Sequence, residues 1–331
     1  MTLNRTYEPK PRYVERMNLL LKDEEDVKKF FEFCKTRSKK SIRVNTLKIS
    51  PNDLMARLKQ KGWDPIQPFL DYPEIIIINN ILEPGELGKS PEHILGYYYV
   101  QEITSMMPII ALQPKADDIL LDLCASPGSK TTQAAIMMDN KGTIIANDLN
   151  IGRIAILSAN LERFSICNSI VTRHDGLDLC AKLKKSKTKL RFDKILVDAP
   201  CSGEGNIRCS PRTFLDWSEN LLESLGRKQK KLASAALELL KEGGEMVYST
   251  CTHAPEENEE VLQYLMDNYD IKLEKITLPL KTRPGILEWR NKKFDPQIKN
   301  AVRIYHQDND MEGFFLCKIK KISDKKKEVE R

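Results

Sequence analysis

The chain has 331 residues, enough for one large or two moderate domains around a substantial core. Its 41% hydrophobic and 30% charged content is that of a soluble globular protein, and its longest apolar runs, such as Ile75 to Ile78, are far too short to span a bilayer. The N-terminus carries no apolar signal core, so the sequence argues against export as well as against membrane insertion.

A net charge of +6 is modest but unevenly spread. Residues 1–43 carry 12 Lys/Arg against 7 Asp/Glu, residues 181–192 carry six basic residues and no acid, and Lys318 to Lys327 is lysine-rich. Such clusters favour a polyanionic partner. Eight cysteines without a secretory signal read as reduced thiols in a cytoplasmic protein. With no Cys-x-x-Cys pair and four histidines far apart, no metal site is expected. Cys34, Cys167, Cys180 and Cys317 read as inert packing residues.

In chain order, residues 11–36 read as a helix interrupted near Asp23, and Ser41 to Leu47 as a strand. Ser50-Pro51 marks the start of a helix ending near Gly62, followed by a strand at Glu74 to Ile78. This α+β unit is expected to occupy residues 1–92, with an RNA-recognition-like character. From about residue 93 strands alternate with helices, the pattern of a parallel sheet with right-handed crossovers. Strands fall at Ile119 to Leu123, Thr143 to Asn147, Ser169 to Thr172, Ile195 to Val197 and Met246 to Ser249, with helices at Ser129 to Asp139, Ile151 to Arg163 and about Ser218 to Lys241. Ala301 to Tyr305 and Gly313 to Ile319 read as an antiparallel hairpin, and 321–331 as a disordered basic tail.

Two strand ends carry chemistry. Asp198-Ala199-Pro200-Cys201 and Ser249-Thr250-Cys251-Thr252 each put a cysteine just past a buried strand, where open α/β sheets bind ligands. A thiolate is the strongest common protein nucleophile, so two of them suggest covalent chemistry. Residues alone leave the two thiols interchangeable.

After the first strand, Cys124-Ala125-Ser126-Pro127-Gly128-Ser129-Lys130 is a turn of small residues feeding a helix N-terminus, where backbone N–H groups can approach a ligand. It is no phosphate loop: Ser129 separates Gly128 from Lys130, and position 123 is Leu. Asp148 ends the second strand, with Arg153 one turn on, and Asp175 ends the third. Acids after successive strands suit ribose hydroxyls and an adenine amino group with no pyrophosphate to hold. S-adenosylmethionine fits this pattern better than NAD does.

With these residues in place, the chain resembles the RNA cytosine-5 methyltransferases of the Sun/Nop2 type over roughly residues 40–320. The likeness rests on Arg43-Val44-Asn45-Thr46, Gly96 to Glu102, the Asp122 to Thr132 loop, the two cysteine motifs, and Arg303 with Glu312-Gly313-Phe314-Phe315. It departs at Tyr305-His306, where the family commonly has proline after the arginine. The resemblance implies a class I (Rossmann-like) methyltransferase with a mostly parallel seven-stranded sheet and an antiparallel C-terminal hairpin over residues 93–320. It implies cofactor contacts at Cys124 to Lys130, Asp148, Arg153, Asp175 and Asp198. It assigns Cys251 as nucleophile, Cys201 as the residue that helps release the product, and Asp198 as the group that binds the base.

The implied chemistry follows from cytosine itself. C5 is a poor nucleophile until a thiolate adds at C6, after which C5 can take a methyl group and lose its proton. His253, two residues past Cys251, is a candidate base. Arg43, Asn45, Lys184, Lys185, Arg303 and the tyrosines Tyr97, Tyr98 and Tyr99 are candidates for the RNA surface. A zinc deaminase is excluded, because Pro200-Cys201 is followed by Ser202-Gly203-Glu204 rather than by a second cysteine at the required spacing. An amino-methylating enzyme would show Asn/Asp-Pro-Pro-aromatic in place of Asp198-Ala199-Pro200-Cys201. The likeness to short archaeal-type forms makes tRNA the expected substrate, rRNA the alternative, and a non-catalytic RNA-binding factor the remaining class. A small accessory protein is not legible.

Overall fold

The computed structural model describes residues 7–327. Two helices, Pro11–Leu21 and Glu24–Cys34, open the chain and break at Asp23, whose side chain accepts from the Asp26 N–H and caps the second. A small antiparallel sheet follows, ordered β2-β3-β1-β4 from β1 (Lys40–Val44), β2 (Pro65–Ile66), β3 (Ile75–Ile78) and β4 (Tyr98–Val100). The helix Pro51–Gln60, capped by Ser50 as expected, buries Leu54 and Leu58 against Ile42, Val44 and Ile76 of this sheet. The sheet closes only with Tyr98–Val100, beyond the boundary expected at residue 92. The two opening helices do not pack on it. Tyr13, Met17 and Phe30 instead join Ile207, Phe214, Trp217 and Ala254 in a separate cluster over the loops that follow the later strands.

The main sheet has nine strands. Its core is β5 (Ile119–Asp122), β6 (Thr143–Asp148), β7 (Ser169–Arg173), β8 (Phe192–Asp198) and β9 (Leu240–Thr250), all parallel, in the order β7-β6-β5-β8-β9. Neighbouring residues face opposite layers. Leu120, Leu196 and Val247 meet the helices Met107–Leu112 and Ser129–Met137, while Leu121, Ile195, Val197 and Met246 meet the helices Glu219–Leu237 and Glu259–Asn268. The strand order reverses between β5 and β8, so the crevice sits over Asp122 and Asp198.

The expected hairpin is present and extends the sheet. After β10 (Tyr269–Glu274), β11 (Arg283–Pro284) and a small ribbon of β12 (Glu288–Trp289) with β13 (Lys292–Lys293), β14 (Val302–Ile304) returns beside β15 (Phe314–Lys326). β15 lies antiparallel to β9. The sequence led to seven strands; β10 and β11 are the additions. β14 covers only Phe314 to Leu316, which would leave the rest of that edge of β15 unpaired, and β10 fills it from Lys318 to Lys326. The expected disordered tail is therefore corrected as far as Lys326. Lys321 is buried and donates to the carbonyls of Leu237 and Leu240. Its apolar stem runs along the sheet while its ammonium finds backbone acceptors, which lysine-rich composition conceals. Residues 328–331 of that tail lie outside the described residues. Cys167, expected to be packed, is exposed.

Candidate active site

A cavity of about 460 Å³ opens at the carboxyl ends of β5 and β8. Its floor is the turn Cys124 to Lys130. Gly128 adopts φ +101°, and a Cβ there would come within 2.9 Å of Leu157 in the helix Ile151–Phe164, so the turn closes only with glycine. The Ser126 N–H points to Asp148 at 3.3 Å, and Arg153 lies 3.5 Å from the same carboxylate while its guanidinium also reaches the Ser126 carbonyl. Two polar atoms facing this turn are buried without a protein partner, Asp122 Oδ1 and Ser126 Oγ. Burial pushes the Asp122 carboxyl up to about 7, against the Thr131 hydroxyl bonded to its other oxygen at 2.7 Å. Carboxylates, orphaned acceptors and a close-packed glycine turn match a ligand that carries an ammonium group, ribose hydroxyls and a flat ring.

Asp175 takes a different part. Its Oδ1 accepts from the N–H groups of Leu177 and Asp178 and caps the helix Gly176–Lys185. It is not among the residues lining the cavity.

Cys251 lines the same cavity, and Cys201 stands against it without lining it. Cys201 Sγ and Cys251 Sγ are 3.2 Å apart, both unbridged and half-buried. Asn206 Nδ2 donates to Cys251 Sγ at 3.1 Å. The contact with Cys251, together with burial, raises the Cys201 thiol well above its ordinary pKa, so Cys201 stays protonated at neutral pH. Asp198 is held between them and the cofactor-side turn: Lys130 Nζ donates to Oδ2 at 2.7 Å and Ser249 Oγ to Oδ1 at 2.7 Å. Lys130 also donates to Ser105 Oγ and stands 5.5 Å from the Phe314 ring centre.

The two cysteine loops are locked to each other. Gly205 N–H donates to the Cys251 carbonyl at 2.9 Å, and a Cβ on Gly205 would lie 2.2 Å from the Gly313 carbonyl oxygen. Buried Glu204 accepts from Trp217 Nε1, Thr252 Oγ1 and the His253 N–H. Glu257 accepts from the Ser202 N–H and Gln229 Nε2, and burial raises its carboxyl to about 7. Asn206, Gly205 and Ser105 at or beside this site were not singled out from sequence, and Glu102 and Phe314 entered only as members of motifs, with no role assigned. The run Gly203-Glu204-Gly205-Asn206 is the one signal that could have exposed two of them.

Several sequence-based candidates are corrected. Arg43 is buried, donating to Gln101, the Ser129 carbonyl and Thr132 Oγ1 at 2.7–2.8 Å, so it bolts β1 to the cofactor-side helix. Asn45 is fully buried and donates to the carbonyls of Gly96 and Phe164. Arg303 is buried against Glu259. None of the three reaches an RNA surface. Lys184 and Lys185 are exposed at the C-terminal end of the helix Gly176–Lys185, which runs from the carboxyl edge of the sheet back toward the start of β8. They therefore lie at the edge opposite the thiols, with Lys184 paired to Glu238. His253 is buried, stacks on Tyr305 at 4.7 Å and has its pKa pushed down by burial and by His306; it does not line the cavity and is no base for Cys251 chemistry. Tyr98 is core; Tyr99 lines the cavity and points its hydroxyl at the Pro127 carbonyl. Among the described residues no His/Cys/Asp/Glu group could hold a metal ion, and no helix is long and apolar enough to cross a membrane.

A strand order reversing at β5/β8, an antiparallel β14–β15 at the sheet edge and an acid-flanked glycine turn define a class I methyltransferase, with S-adenosylmethionine as cofactor. The family described as 16S rRNA methyltransferase RsmB/F matches residues 109–320, and the N-terminal domain of 16S rRNA methyltransferase RsmF matches 10–103. The chain belongs to the RsmB/F methyltransferase family. It is 40% identical to a tRNA (cytosine(49)-C(5))-methyltransferase of Pyrococcus abyssi over 94% of this chain and 96% of that one. It is 38% identical to ribosomal RNA small subunit methyltransferase F of Vibrio cholerae over 95% of this chain, and spans 64% of that relative's length. A crystal structure of a methyltransferase homologue from Pyrococcus horikoshii superimposes with a TM-score of 0.81 at 34% identity, covering 94% of each chain. NSun6 of Pyrococcus horikoshii with SFG shares the fold, with a TM-score of 0.82 at 24% identity over 95% of this chain and 98% of that one.

Proposed function

We propose that this chain methylates C5 of a cytosine in RNA, with tRNA the first substrate and rRNA the second. The observation that carries the reading is the pair of thiols 3.2 Å apart, of which Cys251, bearing the Asn206 amide, lines the same cavity as the glycine turn. Identity to the tRNA enzyme of Pyrococcus abyssi along almost the whole of both chains supports tRNA.

The turn Cys124 to Lys130 with Asp122, Asp148, Arg153 and Asp198 would hold S-adenosylmethionine. When bound, the cofactor supplies an electrophilic methyl group. Cys251 adds as thiolate to C6 of a base turned out of its stack, and the Asn206 amide stabilises the sulfur anion. Asp198, fixed by Lys130 and Ser249, keeps a lone pair on each oxygen for the N3/N4 edge and favours the protonated ring. After C5 has taken the methyl group, a water molecule takes the C5 proton, the C5–H electron pair restores the C5–C6 double bond, and the C6–S bond breaks with its pair returning to Cys251 as thiolate. Cys201, a neutral thiol in contact with Cys251, assists this elimination by donating a hydrogen bond to the departing sulfur. Chemistry that requires both thiols reduced suits a cytoplasmic setting.

The test incubates the protein with S-adenosylmethionine and unmodified tRNA and rRNA, and maps 5-methylcytosine by bisulfite sequencing. Cys251→Ala should abolish a discrete methylated site, and Cys201→Ala should accumulate a covalent RNA–protein adduct. Tight RNA binding with no methylation of either RNA would leave a non-catalytic RNA-binding factor as the reading.

A further inference from the structure

Arg43, Asn45 and Arg303, first expected to meet RNA, are buried, and Lys184 and Lys185 lie on the far edge, so the phosphate backbone must be held elsewhere. The segment joining the opening helices to β1 offers the charge. Lys35, Arg37, Lys39 and Lys40 are all exposed, four basic residues within six positions. Among the described residues, only Lys39 of these four has a carboxylate within ion-pair range, Asp310 at 3.4 Å.

The segment is anchored to the active-site loops by the residues between those charges. Arg208, two positions after the asparagine that touches Cys251, is buried and donates Nη2 to Thr36 Oγ1 and to the Arg37 carbonyl, both at 2.9 Å. Ser38 donates to Glu312 and lies 3.5 Å from Cys209 Sγ. The Glu312 N–H in turn donates at 3.2 Å to Glu102, which lines the cavity. Ser38 thus holds the segment two hydrogen bonds from the cavity and Thr36 ties it to Arg208, while the charged side chains on either side of them stay in solvent.

We infer that Lys35, Arg37, Lys39 and Lys40 form the phosphate-binding strip that seats the RNA strand flanking the target cytosine; this rests on the RNA-methylating function above. Lysine and arginine bind phosphate largely by releasing condensed counterions, so the contribution shows as salt dependence rather than as base preference. The basic 182–189 segment, with more charge but on the opposite edge, takes no part.

The experiment compares the full chain with Lys35→Gln/Arg37→Gln/Lys39→Gln/Lys40→Gln, and with a control, Lys182→Gln/Lys185→Gln/Lys187→Gln/Lys189→Gln, measuring RNA affinity across salt concentrations and steady-state methylation of unmodified tRNA. The strip variant should bind with an RNA KM roughly 10–100-fold higher, and its log–log salt slope should fall by about 2–3, near 0.7 for each single-strand phosphate that no longer meets a cation. Its kcat at saturating RNA and its KM for S-adenosylmethionine should stay within about twofold of the parent, since neither depends on phosphates seated at the strip. A charge-retaining variant, with the three lysines changed to Arg and Arg37→Lys, should bind as the parent does, and the control should keep the parent's slope. A strip variant with the parent's slope and KM, in a parent that methylates RNA, would overturn the strip alone. A parent that neither binds nor methylates RNA would overturn the strip and the proposed function together.

Discussion

Replacing Arg303 tests whether the buried arginine is structural, as its contacts require. Its guanidinium meets Glu259 in two places, Nε to Oε1 at 2.7 Å and Nη2 to Oε2 at 2.5 Å, with both side chains essentially sealed from solvent. The remaining nitrogen donates to the His253 carbonyl at 3.0 Å and to the Tyr305 hydroxyl at 3.1 Å, tying β14 to the loop just after Cys251. Arg303→Met strands the Glu259 carboxylate in the core, and removing one member of a buried pair costs about 3–5 kcal/mol. Unfolding entropy of about 0.7 kcal/mol/K for a chain this long converts that loss into a fall in Tm of about 4–7 °C. Glu259→Leu alone should cost a similar amount, whereas Arg303→Met/Glu259→Leu, which removes both charges, should recover about 2–4 kcal/mol of the sum. Thermal and urea denaturation of the four proteins measure this coupling. kcat should fall in Arg303→Met because the Cys251 loop loosens, while the salt slope of RNA binding stays unchanged. Additive single losses, or a salt slope reduced by about 1, would show that Arg303 faces RNA and would refute the buried-pair argument.

Glu257→Gln should change stability with pH in one direction only. The folded Glu257 carboxyl, near 7, lies above its unfolded value of about 4.3, so the native state holds a proton that the unfolded chain releases between those two values. Its contribution therefore weakens as pH rises through that window, and the variant should gain on the parent by on the order of 2–3 kcal/mol between pH 4 and pH 8; a gap in Tm that stays constant with pH would refute this. Asn206→Ala removes the amide from Cys251 Sγ and should lower kcat by about 10–100-fold with little change in RNA Kd, measured by single-turnover methylation; an unchanged rate would mean the amide does not stabilise the thiolate. Gly205→Ala places a Cβ against the Gly313 carbonyl and should destabilise the chain by about 2–4 kcal/mol, while Gly203→Ala, with open space but φ +76°, should cost only about 1 kcal/mol; equal losses by urea denaturation would show that crowding is not the cause.

Much of the site was legible in the chain because its signals are local. Short apolar strands ending in Asp122, Asp148, Asp198 and Cys251 announce themselves by composition, and ligand sites at strand ends follow from the topology such strands must adopt. The turn Cys124 to Lys130 carries its own steric signature in Gly128. Tertiary structure alone decided which way polar side chains point. Arg43, Asn45 and Arg303 have the chemistry of RNA contacts, yet each is spent on buried carbonyls or a carboxylate brought from 44 to 119 positions away. Lys184 and Lys185 have the right charge, but the helix that carries them ends at the wrong edge of the sheet. The 3.2 Å approach of Cys201 to Cys251, the Asn206 amide on the sulfur and the pairing of β10 with the lysine-rich end of β15 also come from segments far apart in sequence. Burial and hydrogen bonding are properties of pairs, and a sequence names only one member at a time.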